Sequence, residues 1–164
     1  MCEHLDMQNS IQIRVAGEGD VAAMSECRLK DVGGVDERMA AYFRGEHHPH
    51  QALAPRVGFV AELGGRVIGY VAGHLSTRHG LEGEVQYLFV TSQLRRQGIG
   101  ARLVHRLAEW FCERGAKRIC VGVDADSPAA MPFYRAMGAR PLSAEKPFWY
   151  VWDDAGAILN FTSR

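Results

Sequence analysis

A basic segment containing two glycines joins a predicted strand to a predicted helix near the middle of the chain. The strand is an apolar run over residues 85–90, and the connection ends in Arg95, Arg96, Gln97, Gly98, Ile99 and Gly100. Apolar side chains recur beyond it at helical spacing, at Ile99, Leu103, Leu107, Trp110 and Phe111. A strand that passes through a glycine loop into an amphipathic helix predicts layered α/β structure.

The N-terminus of this helix is a predicted anion site. The first N–H groups of a helix have no intrahelical partner, and the positive end of the helix dipole attracts phosphate. Gly98 and Gly100 let the backbone approach a ligand closely, because neither carries a Cβ. Arg95 and Arg96 add positive charge. The segment therefore predicts a ligand that bears phosphate.

Other phosphate-binding glycine loops fit this segment less well. A P-loop requires Lys-Ser or Lys-Thr directly after its second glycine, where this chain has Ala101 and Arg102. A dinucleotide-binding fingerprint requires a third glycine, where this chain has Leu103. Asp124, at the end of the next predicted strand, could still bind a ribose, so a dinucleotide-binding enzyme stays an open alternative.

The composition favours one globular domain over residues 1–164, with residues 1–10 as a loose N-terminal extension. The formal net charge is +0, from 19 basic and 19 acidic side chains, which argues against a nucleic-acid partner. No run is long and apolar enough to span a membrane and the polar start is not a secretory signal, so we expect no membrane partner and a cytoplasmic location.

Neither the cysteines nor the histidines suggest a metal. The four cysteines lack paired metal-ligand spacing, and Cys112 and Cys120, in a predicted helix and strand, are expected to be buried free thiols. His47, His48 and His50 surround a proline and have no paired acidic site. The sequence therefore predicts no metal.

Periodicity and turn residues predict the order of the elements. Strands are expected over 11–15, 57–63, 66–75, 84–90, 118–123 and 148–152. A first helix is expected to run to about Lys30 with Asp20 as its cap, and a second from Asp36 to about Arg44. Further helices are expected over 99–114, with Gly115 after its end, and over 127–138, with Ser127 as N-cap and Pro128 first. Loops are expected over 49–55 and 141–147. This order predicts an α/β (α+β) fold, a mixed central sheet with helices on both faces.

Two motifs in this order resemble the GNAT superfamily of acyl-CoA-dependent N-acetyltransferases, over roughly residues 11–152. The segment Arg95–Gly100 is similar to the family's pyrophosphate loop, Arg/Gln-x-x-Gly-x-Gly/Ala. The segment Ala130–Gly138 resembles its second signature, an alanine followed by an aromatic residue, tyrosine and then glycine. Ser127 stands where the family often has asparagine, and Pro132 inside the second helix is expected to kink it.

The resemblance implies acetyl-CoA as co-substrate and no metal. It implies that Leu88, Phe89 and Val90 present backbone groups to the pantetheine and the thioester, with the Val90 N–H facing the developing oxyanion. The amides of Arg95, Arg96, Gln97, Gly98, Ile99 and Gly100 would hold the pyrophosphate. Ser127 and Tyr134 complete the implied cofactor-binding set.

Two side chains are candidate catalytic residues. Glu84 occupies a position similar to the general-base glutamate of some family members, and strand alternation predicts Glu84, Gln86 and Leu88 on one face. A carboxylate with a pKa of about 4.3 takes a proton poorly from an ammonium with a pKa of about 10.4. An intervening water, or burial that raises the pKa of the carboxylate, must therefore assist the transfer. Tyr134 matches the family tyrosine that donates to the departing thiolate.

The resemblance therefore implies an N-acetyltransferase that moves an acetyl group from acetyl-CoA to a primary amine by direct attack in a ternary complex. The acceptor could be a small molecule or a peptide, and a homodimer is compatible with the resemblance. Two alternatives remain open: a non-catalytic acyl-CoA-binding module, in which Glu84 and Tyr134 only support structure, and the dinucleotide-binding enzyme.

Overall fold

The computed structural model describes residues 10–29, 31, 33, 37–124, 127 and 129–161. Its strands are β1 (Gln12–Val15), β2 (Ala52–Leu63), β3 (Arg66–Ser76), β4 (Gly83–Val90), β5 (Ile119–Gly122), β6 (Arg140–Ser143) and β7 (Lys146–Trp152). Its α-helices are α1 (Val21–Arg28), α2 (Glu37–Phe43), α3 (Ile99–Glu113), α4 (Ala130–Ala136) and α5 (Ala155–Ile158). The predicted N-terminal extension, the predicted helix start at Asp36 and Pro128 lie outside the described residues.

In the part of the chain that the structure describes, the strands form one seven-stranded sheet in the order β1-β2-β3-β4-β5-β7-β6. The β4–β5 pair is parallel, and the other neighbouring pairs are antiparallel. The β4–β5 crossover contains α3, as a parallel connection requires. The predicted mixed sheet is therefore confirmed.

Helices cover both faces of the sheet, as predicted. The apolar stripe of α3, which includes Leu103, Leu107 and Phe111, packs with residues of α4 and α5 in one core. On the opposite face, Met24 of α1 and Met39 of α2 pack against Tyr70 and neighbouring strand residues. The sheet thus separates two compartments, here called the α3 face and the α1–α2 face. Cys112 lies off the α3 stripe and is exposed, so its predicted burial is wrong, whereas Cys120 is buried.

Two predicted loops are strands in the structure. Strand β2 begins at Ala52, so the segment around Pro55 is extended rather than a loop. Its first residues pair with β3 but have no partner in β1, and a proline that lacks an N–H is tolerated where one side is free. Likewise β6 begins at Arg140 and includes Pro141, at the outer edge of the sheet.

Two predicted helix caps are also wrong. Asp20 directly precedes α1, but its carboxylate accepts from the Arg14 guanidinium and from the Gly17 N–H instead of capping the helix. Helix α4 begins at Ala130 after Ala129, so Ser127 precedes the helix without capping it. Pro132 consequently lies in the first turn, where an N–H has no intrahelical acceptor to lose and no kink is required.

Candidate active site

A cleft opens where β4 and β5 separate. The two strands pair only at Gly83–Ile119, Glu84–Cys120 and Val85–Val121, and beyond these pairs they diverge. The resulting β4–β5 cleft has a volume of about 390 Å³. Its walls are residues 85–89 of β4 and 121–124 at the end of β5, together with Arg28, Tyr70, Ser127, Ala130 and Tyr134. Backbone groups of β4 that would pair with β5 in an unbroken sheet therefore face this space.

A bulge in β4 determines which side chains face each compartment. Tyr87 lies opposite Ala72 and Val85 lies opposite Gly73, so Gln86 is the extra residue. Val85 and Leu88 consequently both pack on the α3 face, and Glu84 points to the α1–α2 face. The predicted alternation, which put Glu84, Gln86 and Leu88 on one face, is wrong because the bulge inverts it.

The end of β4 presents an unpaired backbone edge to the cleft. Thr91 N–H donates to the Ile68 carbonyl of β3 over 2.9 Å, and Val90 lies opposite Gly69. Because backbone directions alternate along a strand, the Val90 N–H points away from β3 and toward the side that β5 has left. Leu88, two residues earlier, shares this direction, whereas Phe89 pairs with Tyr70 of β3.

The glycine loop, residues 95–100, follows a 3₁₀ turn and leads directly into α3. Gly98 precedes the helix with a φ of 80°, a left-handed conformation that glycine adopts without a steric cost. Arg96 is also left-handed, with a φ of 65°. The first N–H groups of α3 have no intrahelical acceptors, which is the geometry that the predicted anion site requires.

The two arginines of this loop differ in what they contact. The Nε of Arg95 donates to the Val90 carbonyl over 2.8 Å, and its guanidinium lies 5.4 Å from the centre of the Phe89 ring. Arg95 therefore braces the loop against the end of β4. Arg96 is exposed and can add charge near the helix N-terminus.

Tyr134 enters the cleft from α4. Its side chain is 6% exposed and packs edge-on against Phe133 and Trp152, at centroid distances of 5.1 and 5.6 Å. Burial raises the pKa of the phenol, so it keeps its proton throughout the neutral range and can donate it. Ser127 is exposed on the same rim, and its N–H donates to the Asp124 carbonyl over 3.0 Å.

Glu84 lies behind the cleft wall in a buried polar network. Its Oε2 is 3.3 Å from His74 Nε2, and its Oε1 is 3.6 Å from Arg78 Nη1. The Nδ1 of His74 is hydrogen-bonded to the Tyr42 hydroxyl at 2.9 Å. A Tyr42 hydroxyl that donates to Nδ1 leaves the ring proton on Nε2, facing the carboxylate. Among the described residues that line the cleft, Glu84 is absent, although the neighbouring Val85 is present.

Sequence reasoning missed three residues near the site. His74 is fully buried and Tyr42 is 1% exposed, and a lone histidine within an apolar strand was the available signal. Arg28 lines the cleft from the last turn of α1, where nothing in the local pattern distinguishes it from a solvated helix end. Tertiary packing alone brings α1 to the cleft.

One of the three histidines around the proline makes a side-chain contact with an arginine. His48 Nδ1 lies 2.7 Å from Arg56 Nη2. Within the described ranges, no group of three or more His, Cys, Asp or Glu side chains is placed to hold a metal ion. None of the helices described here has the length and apolar character needed to cross a membrane.

Comparison with known sequences identifies relatives described as acetyltransferases. A family model described as the acetyltransferase (GNAT) family matches residues 21–139. An uncharacterized N-acetyltransferase of Methanocaldococcus jannaschii is 29% identical over 84 residues, which cover 49% of this chain and 37% of the relative. N-alpha-acetyltransferase 30 of Schizosaccharomyces pombe is 33% identical over 86 residues, which cover 51% of this chain and 57% of the relative. The chain thus spans less than two thirds of either relative.

Solved structures share the fold. An acetyltransferase of the GNAT family from Staphylococcus aureus Mu50 superposes with a TM-score of 0.68 at 16% identity, over 87% of this chain and 98% of that one. Ard1 from Thermoplasma volcanium superposes with a TM-score of 0.64 at 18% identity, over 87% and 95%. At these identities the likeness concerns the fold. Because the family model also covers residues 21–139, the chain belongs to the acetyltransferase (GNAT) family.

Proposed function

We propose that this protein transfers an acetyl group from acetyl-CoA to a primary amine by direct attack within a ternary complex. The observation that carries the proposal is the β4–β5 cleft, which joins the two compartments of the sheet. The glycine loop and Tyr134 belong to the α3 face, and Arg28 and Tyr87 belong to the α1–α2 face. Two substrates could therefore meet at one point from opposite sides of the sheet.

The cofactor half of the site fits an acyl-CoA. In this proposal the amides of Arg95, Arg96, Gln97, Gly98, Ile99 and Gly100 hold the pyrophosphate at the N-terminus of α3. The open edge of Leu88 and Val90 pairs with the pantetheine arm, flanked by Phe89 and Ser127. Acetyl-CoA supplies an acetyl group activated as a thioester. The Val90 N–H, which points to the side of β4 that β5 has left, stabilises the negative charge that develops on the carbonyl oxygen.

Tyr134 acts as the proton donor in this proposal. Amine attack expels a thiolate, which needs a proton to leave as a thiol. The buried phenol stays protonated at neutral pH, because burial raises its pKa. Its position on the cleft wall supports this role.

Glu84 collects the proton of the amine through an intervening water. Its carboxylate lies behind the wall formed by residues 85–87, so direct contact with the amine is not supported. The His74–Tyr42 pair and Arg78 hold the carboxylate in place.

A thermal-shift titration with acetyl-CoA tests the cofactor half. Binding should stabilise the fold by about 2.7 kcal/mol at a hundredfold excess over the dissociation constant. A Cβ at Gly100 would already touch the Phe133 ring at 3.4 Å, so the two methyl groups that valine adds beyond Cβ should press on the ring and the loop and abolish the gain. Gly19→Val is the matched control, since a Cβ there meets nothing within 4 Å. An unchanged response in Gly100→Val would remove the loop from the binding site.

An acceptor screen with thiol detection tests the transfer itself. Acetyl-CoA and a panel of primary amines should release free thiol together with the acetylated amine. Binding of acetyl-CoA without any amine-dependent thiol release would instead support the non-catalytic acyl-CoA-binding module. A fluorescence change of NAD(P)H on mixing with the protein, without acetyl-CoA binding, would support the dinucleotide-binding enzyme.

A further inference from the structure

Arg28 is a charged side chain that lines the cleft on its α1–α2 side. It lies in the last turn of α1 and lines the cleft. Its neighbours Met39, Tyr70 and Phe89 belong to the core of the α1–α2 face. Tyr134 packs in the core of the opposite face, next to α3 and the glycine loop. Arg28 is therefore on the side of the sheet from which an amine acceptor would approach.

The described residues that hydrogen-bond this guanidinium do so through one nitrogen. The Nη1 of Arg28 donates to the Tyr70 hydroxyl over 3.1 Å and contacts the Met39 sulfur at 3.3 Å. The guanidinium carbon lies 5.9 Å from the centre of the Phe89 ring. Met39 and Tyr70 are each 2% exposed, so the groups that orient Arg28 are rigidly packed.

Among the described residues, Arg28 has no carboxylate partner for its positive charge. Across the described ranges, no carboxylate lies within 4.0 Å of its guanidinium, whereas Arg14, Arg44 and Arg140 all have such partners. The Nε of Arg28 is buried without a hydrogen-bond partner. A partly buried charge is costly unless it is paired, so an anionic ligand would stabilise this arrangement.

A second unsatisfied group lies in the same cleft. The bulge residue Gln86 lines it, and Gln86 Oε1 is buried without a hydrogen-bond partner among the described residues. An amide oxygen accepts from an amine N–H and leaves the nitrogen lone pair available for attack. The cleft thus offers one group suited to an anion and another suited to an amine.

We propose that Arg28 binds a carboxylate of the acceptor, so that the preferred substrates are amino carboxylates rather than simple amines. The inference rests on the proposed acetyl transfer and names its acceptor class. A guanidinium matches the geometry of a carboxylate, and hydrogen bonds to charged groups are stronger than neutral ones. Arg28 selects the acceptor, and Gln86 orients its amine.

Steady-state kinetics with matched acceptors test this assignment. The acceptors are ω-amino carboxylic acids of increasing chain length and their carboxamides. The enzymes are wild type, Arg28→Gln, Arg28→Lys and the control Arg66→Gln, which removes an exposed charge at the β2–β3 turn. The wild-type-to-variant ratio of kcat/KM for each acceptor cancels the difference in amine pKa between acid and carboxamide.

Arg28→Gln should lower kcat/KM for the best carboxylate acceptor by about 10- to 100-fold, the range for a charged hydrogen bond. For the carboxamide, kcat/KM should change by less than about twofold, by the same reasoning. The KM for acetyl-CoA should stay constant, and Arg66→Gln should behave as wild type. Equal losses for acid and carboxamide, no loss for either, or a raised KM for acetyl-CoA would overturn the inference.

Arg28→Lys and one further variant, Tyr70→Phe, keep the test decisive if Arg28→Gln does not fold. Arg28→Lys retains the charge and should keep part of the carboxylate preference. Tyr70→Phe removes the hydroxyl that accepts from Nη1 and should raise the KM of carboxylate acceptors selectively; no selective change in either variant would refute the role of Arg28. Transfer to acids and carboxamides with equal efficiency in wild type defeats this inference alone. Absence of acetyl transfer to every amine defeats the proposed function.

Discussion

Replacing Tyr134 by phenylalanine separates the proposed chemistry from the packing of the same side chain. The ring packs edge-on against Phe133 and Trp152, and phenylalanine keeps both contacts. Only the hydroxyl is lost, so the free energy of unfolding should change by no more than about 1 kcal/mol. The protein should therefore remain folded and bind acetyl-CoA with nearly unchanged affinity.

Turnover should respond quite differently. A phenol that protonates the departing sulfur interacts mainly with charge that develops in the transition state, so kcat should fall while the KM for acetyl-CoA stays nearly constant. One positioned acid contributes about 10²–10⁴-fold, equivalent to about 2.7–5.4 kcal/mol of activation free energy. Because burial raises the pKa of Tyr134, the wild-type rate should show no loss from its ionisation near neutral pH.

Steady-state kinetics with the best amine provide the measurement, and Tyr150→Phe provides the control. Tyr150 is 1% exposed, its hydroxyl accepts from Arg135 Nε over 3.2 Å, and neither residue is among those that line the cleft. That variant should lose some stability and little turnover. Wild-type turnover in a folded Tyr134→Phe protein would falsify the acid assignment, and a pure rise in KM would make Tyr134 a binding residue.

Three further substitutions probe the rest of the site. Glu84→Gln should lower turnover by roughly 10²–10⁴-fold near neutral pH, with a smaller loss at higher pH as more amine is neutral; parallel pH–rate profiles with little offset would make Glu84 structural. His74→Leu should lower the free energy of unfolding in urea by about 2–4 kcal/mol, because Tyr42 and Glu84 lose a buried partner; unchanged stability would contradict the network. Gly98→Ala should cost about 1–2 kcal/mol and weaken acetyl-CoA binding, since its φ is 80°; calorimetric titration measures the binding, and wild-type affinity would show that this conformation is dispensable.

Local sequence determined much of the α3 region. The apolar spacing of Leu103, Leu107 and Phe111 requires a helix buried on one side, and Gly115 ends that helix with a φ of 73°. The glycine loop could be predicted because helix N-termini and glycine backbones have local properties that hold in any fold. The position of Tyr134 at the cleft could be predicted because its segment resembles a known signature.

Interactions between distant segments decided the rest. Pro55 and Pro141 lie in strands because each strand has a neighbouring strand on only one side at the proline. This can be judged only from the order of the strands in the sheet. The bulge at Gln86 places Glu84 on the α1–α2 face, and a bulge arises from pairing with β3 rather than from β4 itself. Whether a residue lines a cleft depends on where neighbouring strands separate.

Arg28 shows this limit most clearly. By sequence it is a cation at the end of a short helix, where a positive charge is favourable on its own. Its position in the cleft depends on the packing of α1 against Tyr70 and Phe89, which lie at least forty residues further along the chain. Sequence by itself determined the glycine loop and the helix behind it, because both depend on neighbouring residues. Tertiary structure decided which charges and hydroxyls converge on the cleft, because that convergence depends on the strand order and the bulge in β4.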